Sequence, residues 1–313
     1  METIILAMRL QLSPSWNGNE KSKMSQYKIK LNSARILIKA AMVAIVLLAP
    51  NPLQAQSDSP SPSPSPSPSE DTWLSIKDNI FDGADLADGA GLVVLETPVR
   101  AEDAAVVPVT IKATLPPGDT RSVRRFTLVI DENPAPLAGV FGVAPTSGVT
   151  TISTRVRVNS YSYVHAAAEL SDGKVYVVKT FVKASGGCSA PALKDADEAT
   201  AHIGLLKFKQ FKPDGSGDQK TREAQIMIRH PNYSGLQMDQ VTRLYIPANF
   251  IEELRIWQGN DLILAVNGAI AISEDPNIRF NYIPNGADRF RAEARDTKGR
   301  IFKAEWPVES GAM

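Results

Sequence analysis

One residue in 313 can act as a thiol nucleophile: Cys188, set in "KASGGCSAPA", Lys183 to Ala192. Thiolate is the reactive form, yet free cysteine titrates above neutrality, so only a few per cent is ionised at neutral pH without help. Lys183 is close enough in sequence to supply some of that help. Gly186 and Gly187 precede the sulfur and Ser189 follows it. Glycines carry no Cβ, so they let the backbone take positive φ and let the sulfur enter a narrow slot. An enzyme nucleophile is instead held by rigid supports. A mobile thiol suits a group carried to another protein's active site. The residues alone leave three readings open: a carrier thiol, an incidental loop cysteine, and a thiol enzyme or intermolecular disulfide. The position just past an apolar run, among small residues, predicts an accessible thiol with no protein ligand.

Little other chemistry is present. His165, His202 and His230 lack the spacing of a zinc site. His165 lies in a strand pattern, and His230 precedes Pro231 at a strand end. "KPDGSGDQ", Lys212 to Gln219, resembles a calcium loop only faintly and lacks its alternate acidic ligands, so it reads as a turn between strands. There is no G-x-S-x-G elbow, phosphate loop or nucleotide fingerprint, and the carboxylates are scattered. A c-type haem needs C-x-x-C-H, which one cysteine cannot provide. The expectation is therefore a protein that is not an enzyme, with no metal site and no cofactor.

The elements that position Cys188 follow from the patterning. Residues 1–55 read as a secretory signal peptide: a basic region from Lys21 to Lys39, the apolar run "AAMVAIVLLA" (Ala40 to Ala49), and cleavage after Ala55. Met24 offers a second start. Ten apolar residues are too few to span a bilayer, so no membrane insertion is expected after cleavage. Export implies a periplasmic location, where an unpaired cysteine is unusual. Beyond Ala55 stand 27 basic and 32 acidic residues, a balance that argues against nucleic acid as a partner. Residues 56–71, with their Pro-Ser repeat, form a linker inclined to polyproline II.

Residues 72–190 read as β after a short helix around Thr72 to Phe81. Alternating runs lie at Val106 to Leu115, Arg124 to Asp131 and Thr150 to Val158, and a hairpin turns at Asp172-Gly173. Its second strand, Val175 to Val182, runs almost into the glycines before Cys188. Residues 191–204 are a polar connection. Residues 205–310 carry seven short strands with turns at Gly259-Asn260 and Lys298-Gly299. The fold expected is all-β, two immunoglobulin-like β-sandwich domains in tandem.

Specific blocks carry a family resemblance. "IMIRHPNYSG" (Ile226 to Gly235), "YIPANFIEELRIWQGNDLILA" (Tyr245 to Ala265), "ISEDPNIRFNY" (Ile272 to Tyr282) and "ARDTKGRIFKAEWPV" (Ala294 to Val308) resemble SoxZ, a subunit of the SoxYZ carrier of periplasmic sulfur oxidation. The first half resembles SoxY, best at "VKASGGCSA". Together they look like fused SoxYZ-like carriers of the type associated with quinoprotein dehydrogenases. The resemblance implies that Cys188 is the covalent carrier residue on a loop of Gly186, Gly187 and Ser189, holding a sulfur-containing or other electrophilic intermediate such as one derived from thiosulfate. It implies a quinoprotein dehydrogenase or c-type cytochromes as partners, and packing of the two halves on each other; the apolar Tyr245, Ile246, Phe250 and Ile251 are candidates for that junction, the alternative being that they close the second domain's own core. The alternative is a docking module of a quinoprotein (PQQ) dehydrogenase with no covalent chemistry. One departure stands out. SoxY ends at its cysteine arm, whereas here 125 residues follow Cys188 and Ser189-Ala190-Pro191 replaces the trailing glycines. A loop tethered at both ends reaches only about 20 Å from Val182.

Overall fold

The computed structural model describes residues 70–191, 202–212 and 220–309. The expected signal peptide, most of the Pro-Ser linker and the look-alike calcium loop at 213–219 lie outside these residues.

Helix α1 (Asp71–Ile80) precedes fifteen strands. The first half supplies β1 (Leu86–Asp88), β2 (Val93–Glu96), β3 (Val107–Ala113), β4 (Val123–Ile130), β5 (Leu137–Val143), β6 (Thr151–Val156), β7 (Ser162–Leu170) and β8 (Val175–Val182). The second supplies β9 (Leu206–Phe211), β10 (Arg222–Ile228), β11 (Ile251–Gln258), β12 (Asp261–Gly268), β13 (Asn277–Tyr282), β14 (Arg289–Asp296) and β15 (Ile301–Pro307). The period-2 pattern explains the strands. In β3, Val107, Val109, Ile111 and Ala113 are buried while Pro108 and Lys112 face out. The β7–β8 hairpin closes at Gly173, whose φ of +82° suits glycine and whose N–H donates to the Leu170 carbonyl.

Each half contributes strands to two sheets, and both sheets run unbroken from one half into the other. One has the order β1-β8-β7-β4-β5-β12-β11-β14-β15; the other has β2-β3-β6-β13-β10-β9. The joins are antiparallel. β5 pairs β12 with Val143 opposite Leu264 and Gly139 opposite Gly268. β6 pairs β13 with Ser153 opposite Arg279 and Ile152 opposite Phe280. Where that second ladder ends, the Asn281 side-chain oxygen accepts from the Thr150 and Thr151 N–H groups at 2.9 and 2.7 Å. Phe126, Phe141, Phe280, Tyr282 and Phe290 are fully buried in one core cluster shared by both halves.

The tandem sandwich architecture expected from the sequence is present, and so is the packing of the halves. The residues named for that junction are not the ones that make it. Tyr245 is 66% exposed, and Ile246, Phe250 and Ile251 lie outside the strands that pair across the join. Ile251 opens β11 and fills the shared core instead.

Candidate functional site around Cys188

The cysteine turn starts where β8 leaves the sheet. Lys183 bridges Arg100, Ala184 is buried, and the chain then turns through Gly187, Cys188 and Ser189. Cys188 has no exposed surface at all. The sequence predicts an accessible thiol, and the structure overturns that. The cause is what packs on the turn from both halves, which no local pattern announces.

From the first half, the Gly186 N–H donates to the Asn159 carbonyl at 2.8 Å, and the Gly187 N–H donates to the Val158 carbonyl at 3.1 Å. A Cβ on Gly187 would stand 2.0 Å from the Ala104 carbonyl oxygen and 2.7 Å from that of Val158. Gly186 has a φ of +79°. The two glycines therefore serve different needs: Gly186 takes a left-handed backbone, and Gly187 lets two carbonyls approach the turn. They fit the turn into a dock rather than leaving it loose. Ser189, the other residue assigned to the loop, is exposed, and its N–H donates to the Gly186 carbonyl.

From the second half, Ser234 Oγ donates to the Cys188 carbonyl at 2.5 Å, and Gln237 Nε2 donates to the Ala190 carbonyl at 3.0 Å. Both side chains are buried. Gln237 Oε1 in turn accepts the Ser234 N–H, so the pair holds itself in place. Ser234 belongs to the "HPNYSG" run, which is braced from below. The fully buried His230 accepts the Asn232 N–H on Nδ1 and faces Asp296 with Nε2 at 3.4 Å, so the neutral tautomer donates to that carboxylate. Burial pushes His230 below its ordinary value, while Asp296 pulls the other way.

The cation next to the thiol is Arg157, not Lys183. Arg157 is 2% exposed, follows β6, and donates from Nη1 to the Ile272 carbonyl at 2.7 Å. Its Nε has no hydrogen-bond partner. Burial lowers the Arg157 pKa, and the Glu274 and Asp103 carboxylates, with Cys188 whenever it is ionised, act against that. For Cys188, burial dominates and Arg157 offsets only part of it, so the thiol is pushed up to about 11. At neutral pH the docked thiol is thus protonated and inert.

The histidines do not gather there. His165 Nδ1 sits 3.0 Å from Asp131 Oδ1 under the Trp73 indole, stacked at 3.8 Å, which fixes α1 to the sheet. His202 is exposed at the edge of another groove. Among the described residues no cluster of three or more His, Cys, Asp or Glu could hold a metal ion, and no helix is long and apolar enough to cross a membrane. Sequence reasoning missed Arg157, Ser234 and Gln237. The alternation of "TTISTRVRV" puts Arg157 on the outward side of its strand, and only the arrival of the cysteine turn and the second half buries it.

Two family models match the chain: sulfur oxidation protein SoxY over residues 77–188, and sulphur oxidation protein SoxZ over residues 211–307. The first match ends on Cys188 itself. No curated protein matches the chain. Among solved structures, the sulfur carrier protein SoxY from Chlorobium limicola f thiosulfatophilum overlaps 37% of this chain and 97% of its own, at 21% identity and a TM-score of 0.31. A superoxide reductase (neelaredoxin) from Ignicoccus hospitalis overlaps 29% of this chain and 79% of its own, at 12% identity and a TM-score of 0.27. Overlaps at that level carry no functional weight. The two domain matches do, standing in order on a single chain whose sheets they share: this is a fused SoxYZ-like protein of the sulfur-oxidation carrier family.

Proposed function

We propose that the protein is a periplasmic covalent carrier whose Cys188 Sγ bears a sulfur-containing intermediate for partner redox enzymes, and that the buried turn seen here is its docked arrangement. One observation carries this reading: the single cysteine of the chain is the last residue of the SoxY match, and the SoxZ half grips its turn through Ser234 and Gln237. Joining the thiol to the terminal sulfur of a thiosulfate-type anion forms an S–S bond and releases the thiol proton and two electrons. Those two electrons pass to a redox partner. c-type cytochromes and a quinoprotein dehydrogenase are the classes proposed.

Loading requires the turn to leave its dock. Four hydrogen bonds hold it, from the N–H groups of Gly186 and Gly187 and to the carbonyls of Cys188 and Ala190. At roughly 1 kcal/mol net for each, opening costs on the order of 4 kcal/mol. Once out, the thiol regains an ordinary pKa and becomes a nucleophile. The complete burial of Cys188 also favours a second reading, a docking module of a quinoprotein dehydrogenase that never uses the thiol. Intact-mass measurement of the protein isolated from its native host separates the two. The carrier reading predicts a mass increment on the chain that disappears on reduction and in Cys188→Ala. A bare thiol under every growth condition on reduced sulfur compounds contradicts it.

A further inference from the structure

The outer face of the six-stranded sheet carries a second feature that no match describes. A groove of about 530 Å³ crosses the join between the halves, from Arg155 on β6 to Asn277 on β13, Arg229 after β10 and Lys207 on β9, with His202 and Asp275 at its rim. Three full cations face one carboxylate. That carboxylate is engaged: Asp275 Oδ2 accepts from Arg229 at 2.8 Å, and Oδ1 accepts the His230 N–H at 3.1 Å. Arg155 is half-buried, and among the described residues its side chain makes one hydrogen bond, from Nη2 to the Asp275 backbone carbonyl at 3.1 Å. Its Nε is buried without a partner, and no ion pair neutralises it among the described residues. Lys207 likewise has no carboxylate partner among the described residues. Asn277 Oδ1 accepts from Gln225, which leaves the Asn277 Nδ2 to donate.

A half-buried guanidinium with no ion pair among the described residues, beside an exposed ammonium and an amide donor, favours a small anion that accepts several hydrogen bonds. The position gives the anion a reason to be there. Arg155 and Arg157 stand two residues apart on one side of the β6 line, about 6.5 Å along it. Both donate to the same turn, Arg157 to the Ile272 carbonyl and Arg155 to that of Asp275. The groove thus begins one turn away from the buried cation that faces Cys188. We infer that this groove is a non-covalent subsite for a small oxyanion, which holds the anionic end of a sulfur oxyanion near the dock that the cysteine turn vacates. The choice of sulfur rests on the carrier reading; the anion site itself does not.

Calorimetric titration of the full chain with thiosulfate, and separately with inorganic phosphate, at matched ionic strength in chloride tests this. Saturable 1:1 thiosulfate binding is expected, equal in wild type and Cys188→Ala, so failure of the covalent reading leaves the result intact. Arg155→Gln should weaken it about tenfold or more, the worth of one charge-assisted hydrogen bond. Lys207→Gln should weaken it several-fold; this side chain is exposed, so the variant folds whatever befalls Arg155→Gln. No saturable binding, or Lys207→Gln and Arg155→Gln both binding as wild type, overturns the site. Phosphate bound more tightly than thiosulfate overturns its assignment to sulfur.

Discussion

At the scale of single residues, the chemistry of Cys188 is set by what covers it. The sequence makes the residue conspicuous, since it is the only thiol and sits between Gly187 and Ser189. It does not disclose the state of that thiol. The glycines read locally as freedom, yet Gly187 is a close approach of two carbonyls and Gly186 a left-handed corner. Arg157 reads as an outward strand residue, yet it ends as a buried cation beside the sulfur. The misreading and the omission have one cause: burial here is delivered by residues distant along the chain, Ala104 and Val158 from one half and Ser234 and Gln237 from the other, and period-2 patterning reports only on a strand's own sheet. The pKa shift gives a testable consequence. The folded state holds the thiol proton up to about 11, against an ordinary value of 9.0. The stability linked to this group is therefore complete below pH 9 and lost as pH rises toward 11, because the unfolded chain gives up the proton first. Urea denaturation at pH 8 and pH 10 should show wild type losing roughly 1 kcal/mol more than Cys188→Ala over that interval. Equal losses would mean that the thiol is not shielded.

At the scale of elements, the strands were largely legible. β8 spans the residues its pattern marks, Val175–Val182, and β3, β4 and β6 fall within a residue or two of theirs. The misses are β1, β2 and β5. β5 is "LAGVFGV", where Gly139 and Gly142 interrupt the apolar alternation; yet both glycines lie against β12, Gly142 opposite Ala265 and Gly139 opposite Gly268. The strand least like a strand in sequence is therefore one of the two first-half strands that join the halves. Open edges such as those of β5, β6, β12 and β13 are templates for unwanted pairing, and here each half covers the edges of the other. Expressed as separate chains, residues 56–195 and 196–313 should associate when mixed and co-elute from a sizing column, and each alone should aggregate or stay unfolded. Two soluble, folded halves that elute independently at high concentration would refute the shared-sheet account.

At the scale of the whole molecule, fusion changes what the cysteine segment can do. The resemblance between each half and its family was readable from blocks such as "HPNYSG" and "VKASGGCSA", but not the contact between them, where Ser234 of one block holds the Cys188 carbonyl of the other. Continuous sheets make the dock rigid, so the turn is the part free to change. The central claim is that the second half keeps this thiol docked and protonated, and that release of the turn is the gate to its chemistry. The rate of Cys188 alkylation by iodoacetamide at pH 7 tests it most directly. A pKa of about 11 leaves roughly one thiol in ten thousand ionised at that pH, and docking removes access as well. Native protein should therefore react at least about a hundredfold more slowly than the same chain in urea, and Ser234→Ala combined with Gln237→Ala should speed the native reaction by about tenfold or more. A native rate equal to that in urea, or one that the double substitution leaves unchanged, would contradict the account.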